Sequence, residues 1–172
     1  MLSDAAVAHV EGSHSSEPDL LSRALALPGA AATRNRFVGD ITYTTLRKLS
    51  ITAEYQYNGF ALDQSRWSEL GAQPATQVAY LIEAQRRQEL APRKAYLTYI
   101  TQKSLLLKNL DLTAFLRVNA GDHSRLVWAE LRHHWPSFDQ AFQLQRHIGS
   151  SNSEFGILPD SRIIQVLGSY YF

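Results

Sequence analysis

Three sets of residues in this chain carry side chains able to do chemistry, and in each the spacing decides what that chemistry can be. Asp122, His123 and Ser124 have the residue types of a nucleophilic triad. A triad needs side chains that converge from separate parts of the chain in successive hydrogen bonds, and three consecutive residues of a tight turn cannot do this. They read as a polar turn in which Gly121 supplies the bend. His133 and His134 are adjacent, and neighbouring side chains of an extended segment leave on opposite sides, so the two rings do not share a metal. The third set is a series of charges, Asp40, Glu54, Asp111, Arg117, Glu130, Arg132 and Asp139, placed within segments whose other side is apolar. The chain holds no glycine-rich phosphate loop, no His-Glu metal motif and no dinucleotide fingerprint. The expectation is a protein that is not an enzyme, with no catalytic residue, no metal and no cofactor.

The segments that carry these charges are read from periodicity. From Leu49 to Asn58 the residues Leu49, Ile51, Ala53, Tyr55 and Tyr57 alternate without error with polar ones, the signature of a half-buried strand. Phe37, Gly39, Ile41 and Tyr43 alternate before it, and the short link Leu46-Arg47-Lys48 joins the two runs into a hairpin. A second hairpin has Leu110, Leu112, Ala114, Leu116 and Val118 on one face, a turn at Ala120-Gly-Asp-His123, and a return over Ser124 to Arg132. Setting Arg117 opposite Leu126 puts Thr113 against Glu130 and Asp111 against Arg132, and brings the apolar faces together. In that register Arg132 also approaches Asp139, which predicts a charged cluster near the short-turn end. Asp40 and Glu54 share a polar face with no basic partner close by in their hairpin, an arrangement that favours cations.

Further strands are expected at Ala95 to Lys103, Phe138 to His147 and Arg162 to Phe172, with a weaker one at Asp4 to Glu11, making eight. Residues 1–36 then hold this weak first strand and a long loop. Residues 59–94 form a second long loop, with a short helix expected within Pro74 to Ala91 whose apolar side is Val78, Leu81 and Ile82. Connections 13–36, 59–94, 120–123 and 148–161 fall at one end, and short links near Arg47, Leu107 and Pro136 at the other.

Bulk properties narrow the class. The chain has 172 residues, suited to one domain spanning 1–172, and 45% hydrophobic with 19% charged residues is an ordinary globular composition. The longest apolar stretch, Ala24 to Ala32, is broken by Pro28 and Gly29, so a helical membrane protein is excluded. A strand-built membrane protein is not, because only alternate residues face lipid, and the mean hydropathy of -0.23 is compatible with it. A net charge of +1 supplies no basic field, which sets nucleic acid aside. The absence of cysteine excludes disulfides and thiolate metal sites.

The final segment sets Ile164, Val166, Gly168, Tyr170 and Phe172 on one face at two-residue spacing. An alternating strand that ends in Phe resembles the assembly signal of bacterial outer-membrane β-barrel proteins. The mid-strand charges opposite apolar faces of about 9 to 11 residues match the span of a tilted membrane strand. Ser153-Glu-Phe-Gly156, just before the last strand, looks like a loop of large porin-like proteins. The chain therefore resembles the C-terminal portion of a porin-like barrel.

The resemblance implies an all-β fold, an antiparallel transmembrane β-barrel of about eight strands. These close as a small filled barrel, or form the C-terminal half of a larger one whose lumen holds water. It implies residence in the bacterial outer membrane, contact with outer-membrane lipid and with the barrel-assembly machinery, and passage of small polar solutes past the charged set named above. The start at Met1-Leu-Ser-Asp has no secretory signal, so the resemblance further implies a truncated chain. Two other functions fit the pattern. One is a non-conducting binding or adhesion barrel acting through loop 59–94 with Trp67 exposed; the other is a soluble sandwich that binds carbohydrate through Trp67 or Trp128.

Overall fold

The computed structural model describes residues 4–172, so the start at Met1 lies outside it. Eight strands form one sheet: β1 (Ala5–Glu17), β2 (Ala32–Thr44), β3 (Leu49–Asn58), β4 (Lys94–Gln102), β5 (Leu110–Asn119), β6 (Arg125–His134), β7 (Phe138–Ile148) and β8 (Arg162–Tyr170). Their order in the sheet is their order in the chain, and every neighbouring pair is antiparallel. Three helices interrupt the series: α1 (Leu20–Ala24), α2 (Gln64–Leu70) and α3 (Pro74–Arg86). The protein is all-β in class, with only short connections at one end, and at the other the helix-bearing ones beside the 120–124 turn and the 149–161 loop.

The alternation read from the sequence governs the register. Leu126 lies opposite Arg117, Glu130 opposite Thr113, Arg132 opposite Asp111, and Asp40 opposite Glu54. Because opposed residues share a face, the ladders assign every strand residue to one side. The side bearing Glu54, Arg117 and Glu130 is the inner one, since Glu17 and Arg36 on that side bond to the helix-bearing segments through Arg23 and Glu89; the side bearing Ile51, Leu116 and Val127 is the outer one.

The sheet is open. Among the described residues no ladder joins β1 to β8, so the strands do not close upon one another as a small barrel. β1 is exposed along nearly its whole length, and β8 on both faces. β1 and β2 also run farther than expected, to Glu17 and from Ala32, because Ser13 to Ser16 pair with Arg36 to Thr33 despite their polarity. An edge strand exposed on both faces has no apolar pattern to keep, so periodicity understates its length.

The helices build a small cap with its own core of Leu20, Leu62, Trp67, Leu70, Tyr80 and Ala84. Tyr80 anchors it: its hydroxyl donates to the Ala91 carbonyl at 2.6 Å and accepts from the Leu62 N–H at 3.0 Å. Trp67 packs on Tyr80 with ring centroids 5.9 Å apart. This corrects the expectation of an exposed Trp67, which is only 9% exposed. The apolar side of α3 also differs: Val78 and Ile82 point outward, and Gln77, Tyr80, Glu83 and Ala84 are buried. Tyr80 packs inward because its hydroxyl finds two backbone partners, which removes the cost of burying it.

The β5–β6 turn is also made differently. No described glycine has a positive φ; His123 takes the left-handed conformation, at φ 59°. Asn119 Oδ1 accepts from Gly121 N–H at 2.8 Å, and Asp122 Oδ1 accepts from Ser124 N–H at 2.9 Å. These two side-chain bonds bend the chain, and histidine is among the residues that tolerate the resulting backbone.

Candidate functional site

The cap end of the inner face is where the chain concentrates buried polar groups. Arg36 on β2 reaches Glu17 of β1 at 2.8 Å and Glu89, just beyond α3, at 3.0 Å. Arg23 of α1 bonds to Glu17 as well and lies 3.6 Å from Glu89. Asn58, at the end of β3, donates to Glu89 at 3.3 Å and to the Leu90 carbonyl at 3.0 Å. The guanidinium of Arg36 also sits 4.3 Å over the Phe60 ring. Two arginines, two carboxylates and an amide thus bind the cap to β1, β2 and β3.

A second attachment joins the cap end of β5 to the β7–β8 loop. The Glu154 carboxylate accepts from Arg117 at 3.2 Å and from Asn119 Nδ2 at 3.0 Å. Its own N–H donates to Asp122 at 2.7 Å, and Gln77 of α3 donates to the neighbouring Asn152 carbonyl at 3.1 Å. Burial pushes the Glu154 carboxyl up to about 7, against the opposing pull of the Arg117 charge. The loop fits tightly around this point: a Cβ at Gly156 would lie 1.9 Å from the Ser150 carbonyl oxygen.

Two clefts meet at Glu154. The outer one, about 330 Å³, is bounded by Asp63, Trp67, Arg93, Asn119, Asp122 and Glu154 among others. The inner one, about 780 Å³, lies between cap and sheet and touches β2, β3, β5, β6 and β7 through residues such as Arg36, Gln56, Arg117, Leu126 and Gln145. Glu154, Leu81 and Ala91 belong to the walls of both.

At the short-turn end the inner face carries a second charged group. Arg132 bonds Glu130 at 2.8 Å and approaches Asp139 at 3.8 Å. Asp111 is held by Lys103 at 2.6 Å and by His134 at 3.3 Å, and His134 reaches Asp139 at 3.0 Å. Tyr171 donates to Asp139 at 3.0 Å. The structure therefore brings Asp111, Glu130, Arg132 and Asp139 together. Arg132 directs its charge to Glu130 and Asp139 rather than to the Asp111 opposite it, because the Lys103 ammonium already pairs with Asp111. Arg117 lies apart, at the cap end. Asp40 and Glu54 lie between the two groups, directly opposed. The ring of His9, on β1, lies 3.3 Å from Asp40, a basic partner that the hairpin alone did not reveal.

The remaining sequence candidates fall as follows. Asp122 and Ser124 serve the turn and the β7–β8 loop, with the Phe155 N–H reaching Ser124 Oγ at 3.4 Å. His133 lies on the outer face against the Trp135 ring, 4.2 Å between centroids, while His134 lies on the inner one. Among the described residues no cluster of three or more His, Cys, Asp or Glu residues is arranged to hold a metal ion. Ile164, Val166 and Tyr170 project from the outer face of β8, all exposed, with Gly168 between them and Phe172 beyond the strand. Sequence reasoning missed the roles of Arg36, Glu89 and Glu154; only the motif around Glu154 gave any local signal. Compared with protein-family models, with curated proteins and with solved structures, the chain finds no match.

Proposed function

We propose that this chain forms part of the wall of a porin-like channel in a bacterial outer membrane, passing small polar solutes along its inner face. One observation carries the reading. The outer face presents Val10, Phe37, Ile41, Tyr43, Ile51, Tyr96, Leu116, Val127, Leu131, Phe142, Leu144 and Ile164, all exposed, in an unbroken band across the sheet. An apolar surface that runs across all eight strands needs a cover, and lipid is the cover that alternating strands fit. The opposite face carries every strand carboxylate from β2 to β8, as a wall facing water would, while the outer face is charged only near its cap end, at Lys94, Arg125, Arg146 and Arg162.

Lipid also demands that no strand edge stay unpaired, so β1 and β8 must each meet another strand in the membrane. Eight strands closed alone leave room only for their own side chains. The large cleft between cap and sheet fits a wider barrel better, with these strands as one part of it. A non-conducting barrel is the second reading, favoured by the cap that bounds the inner face at its cap end. Planar-bilayer recording separates the two: stepwise conductance in potassium chloride supports the channel, and silent bilayers that contain folded protein contradict it.

A further inference from the structure

We infer that the inner cleft is a binding site for uncharged polyhydroxylated solutes of the sugar class. The inference rests on the channel reading, whose cargo it specifies.

The charges bounding this cleft cancel within its own walls. Arg36 is bridged to Glu89 and Glu17, and Arg117 to Glu154. Above about pH 7, where the Glu154 carboxyl is ionised, no cation or anion is left to draw an ion of either sign, whereas a site for charged solutes needs an uncompensated partner. Beside the paired charges the walls carry amides. Gln85 and Gln88 reach the cleft from the cap side, and neither side chain has a hydrogen-bond partner among the described residues. Gln56 and Gln145 face them from β3 and β7, each already holding one partner, Gln56 donating to Glu54 and Gln145 lying 2.8 Å from a ring nitrogen of His147, which leaves their amide oxygens for a ligand. Each primary amide offers two donors and an acceptor, which matches vicinal hydroxyls that both donate and accept. Leu90, Leu126 and Leu158 supply apolar ground between these groups, suited to the C–H faces of a pyranose ring. The volume of about 780 Å³ falls within the range of sites that enclose small ligands.

The direct test is saturation-transfer NMR on the full chain in detergent, with maltose as the neutral probe and sodium gluconate and lysine as charged ones. Maltose is expected to show transfer and the charged probes far less. The double variant Gln85→Leu, Gln88→Leu should weaken maltose binding roughly five- to tenfold, the loss of one or two neutral hydrogen bonds. Both residues are solvent-facing, so the variant keeps the cap core, checked by an unchanged melting temperature. Preference for gluconate or lysine, or maltose transfer indifferent to the double variant, overturns the inference. Bilayer recording keeps the two claims apart. Maltose binding without conductance removes the channel and leaves the site; conductance without maltose binding removes the site and leaves the channel.

Discussion

Glu154 and Arg117 are bonded at 3.2 Å although 37 residues separate them in sequence, and this contact ties the β7–β8 loop to the wall of β5. Burial keeps the Glu154 carboxyl at about 7, above its ordinary 4.5, so the folded loop holds the proton more firmly than the unfolded chain does. The stabilisation is therefore full below about pH 4.5 and is lost as pH rises through about 7. Across that window the change is on the order of 3 kcal/mol, at about 1.4 kcal/mol per pKa unit. Hydrogen exchange of residues 149–161 should accelerate between pH 5 and 8, after correction for the intrinsic rate. Glu154→Gln should abolish this dependence, and a persistent one in that variant places its origin elsewhere.

Gly156→Ala probes the same loop by steric means. The added methyl would meet the Ser150 carbonyl oxygen at 1.9 Å, a backbone atom with no side-chain freedom to move aside. Overpacking of this kind costs about 1–3 kcal/mol. Limited proteolysis should cut the variant within 149–161 while sparing the strands, whereas Gly168→Ala, where a Cβ meets nothing within 4 Å, should behave as the parent.

Tyr80→Phe isolates the anchor of the cap. The substitution keeps the ring against Trp67 but leaves the Leu62 N–H and the Ala91 carbonyl without their partner. Leaving buried backbone groups unsatisfied costs about 1–3 kcal/mol. Fluorescence of Trp67 during denaturation should report an earlier transition for the cap, while strand circular dichroism changes little.

Charge placement discriminates the two faces of one strand. Phe142→Lys puts an ammonium on the outer face of β7, and Gln143→Lys puts it on the inner face opposite Glu130. At the middle of a membrane the outward lysine costs about 2–4 kcal/mol and the inward one far less. Heat-modifiable migration after refolding into detergent should be lost for the first and retained for the second. Equal behaviour of the pair would count against a lipid-facing outer side.

The strands were legible because one force repeated itself. In β3 an apolar side and a polar side alternate without error, and the pairing of Thr113 with Glu130 follows from aligning two such patterns. β1 was legible only over Asp4 to Glu11, and its run on to Glu17 was not, because it is exposed on both faces and need not alternate. The cap resisted for another reason: α1 and α2 are too short to show a helical period, and Tyr80 and Trp67 are buried by partners remote in sequence. Of the candidate site, the short-turn cluster followed from strand register, whereas the bonds of Arg36 to Glu89 and of Arg117 to Glu154 depend on how loops fold over the sheet. No local pattern encodes them.

The central claim is that the outer face meets lipid and the inner face meets water. The chain contains no cysteine, so single cysteines can be introduced one at a time and labelled without background. Positions Phe142, Leu144 and Ile164 sample the outer face, and Gln143, Gln145 and Gln165 the inner one. With an environment-sensitive fluorophore at each position and the protein refolded into vesicles, quenching by brominated lipid chains should alternate with residue number, strong at the first three and weak at the second. Quenching by an aqueous agent at all six positions alike, with no response to brominated lipid, would contradict the account.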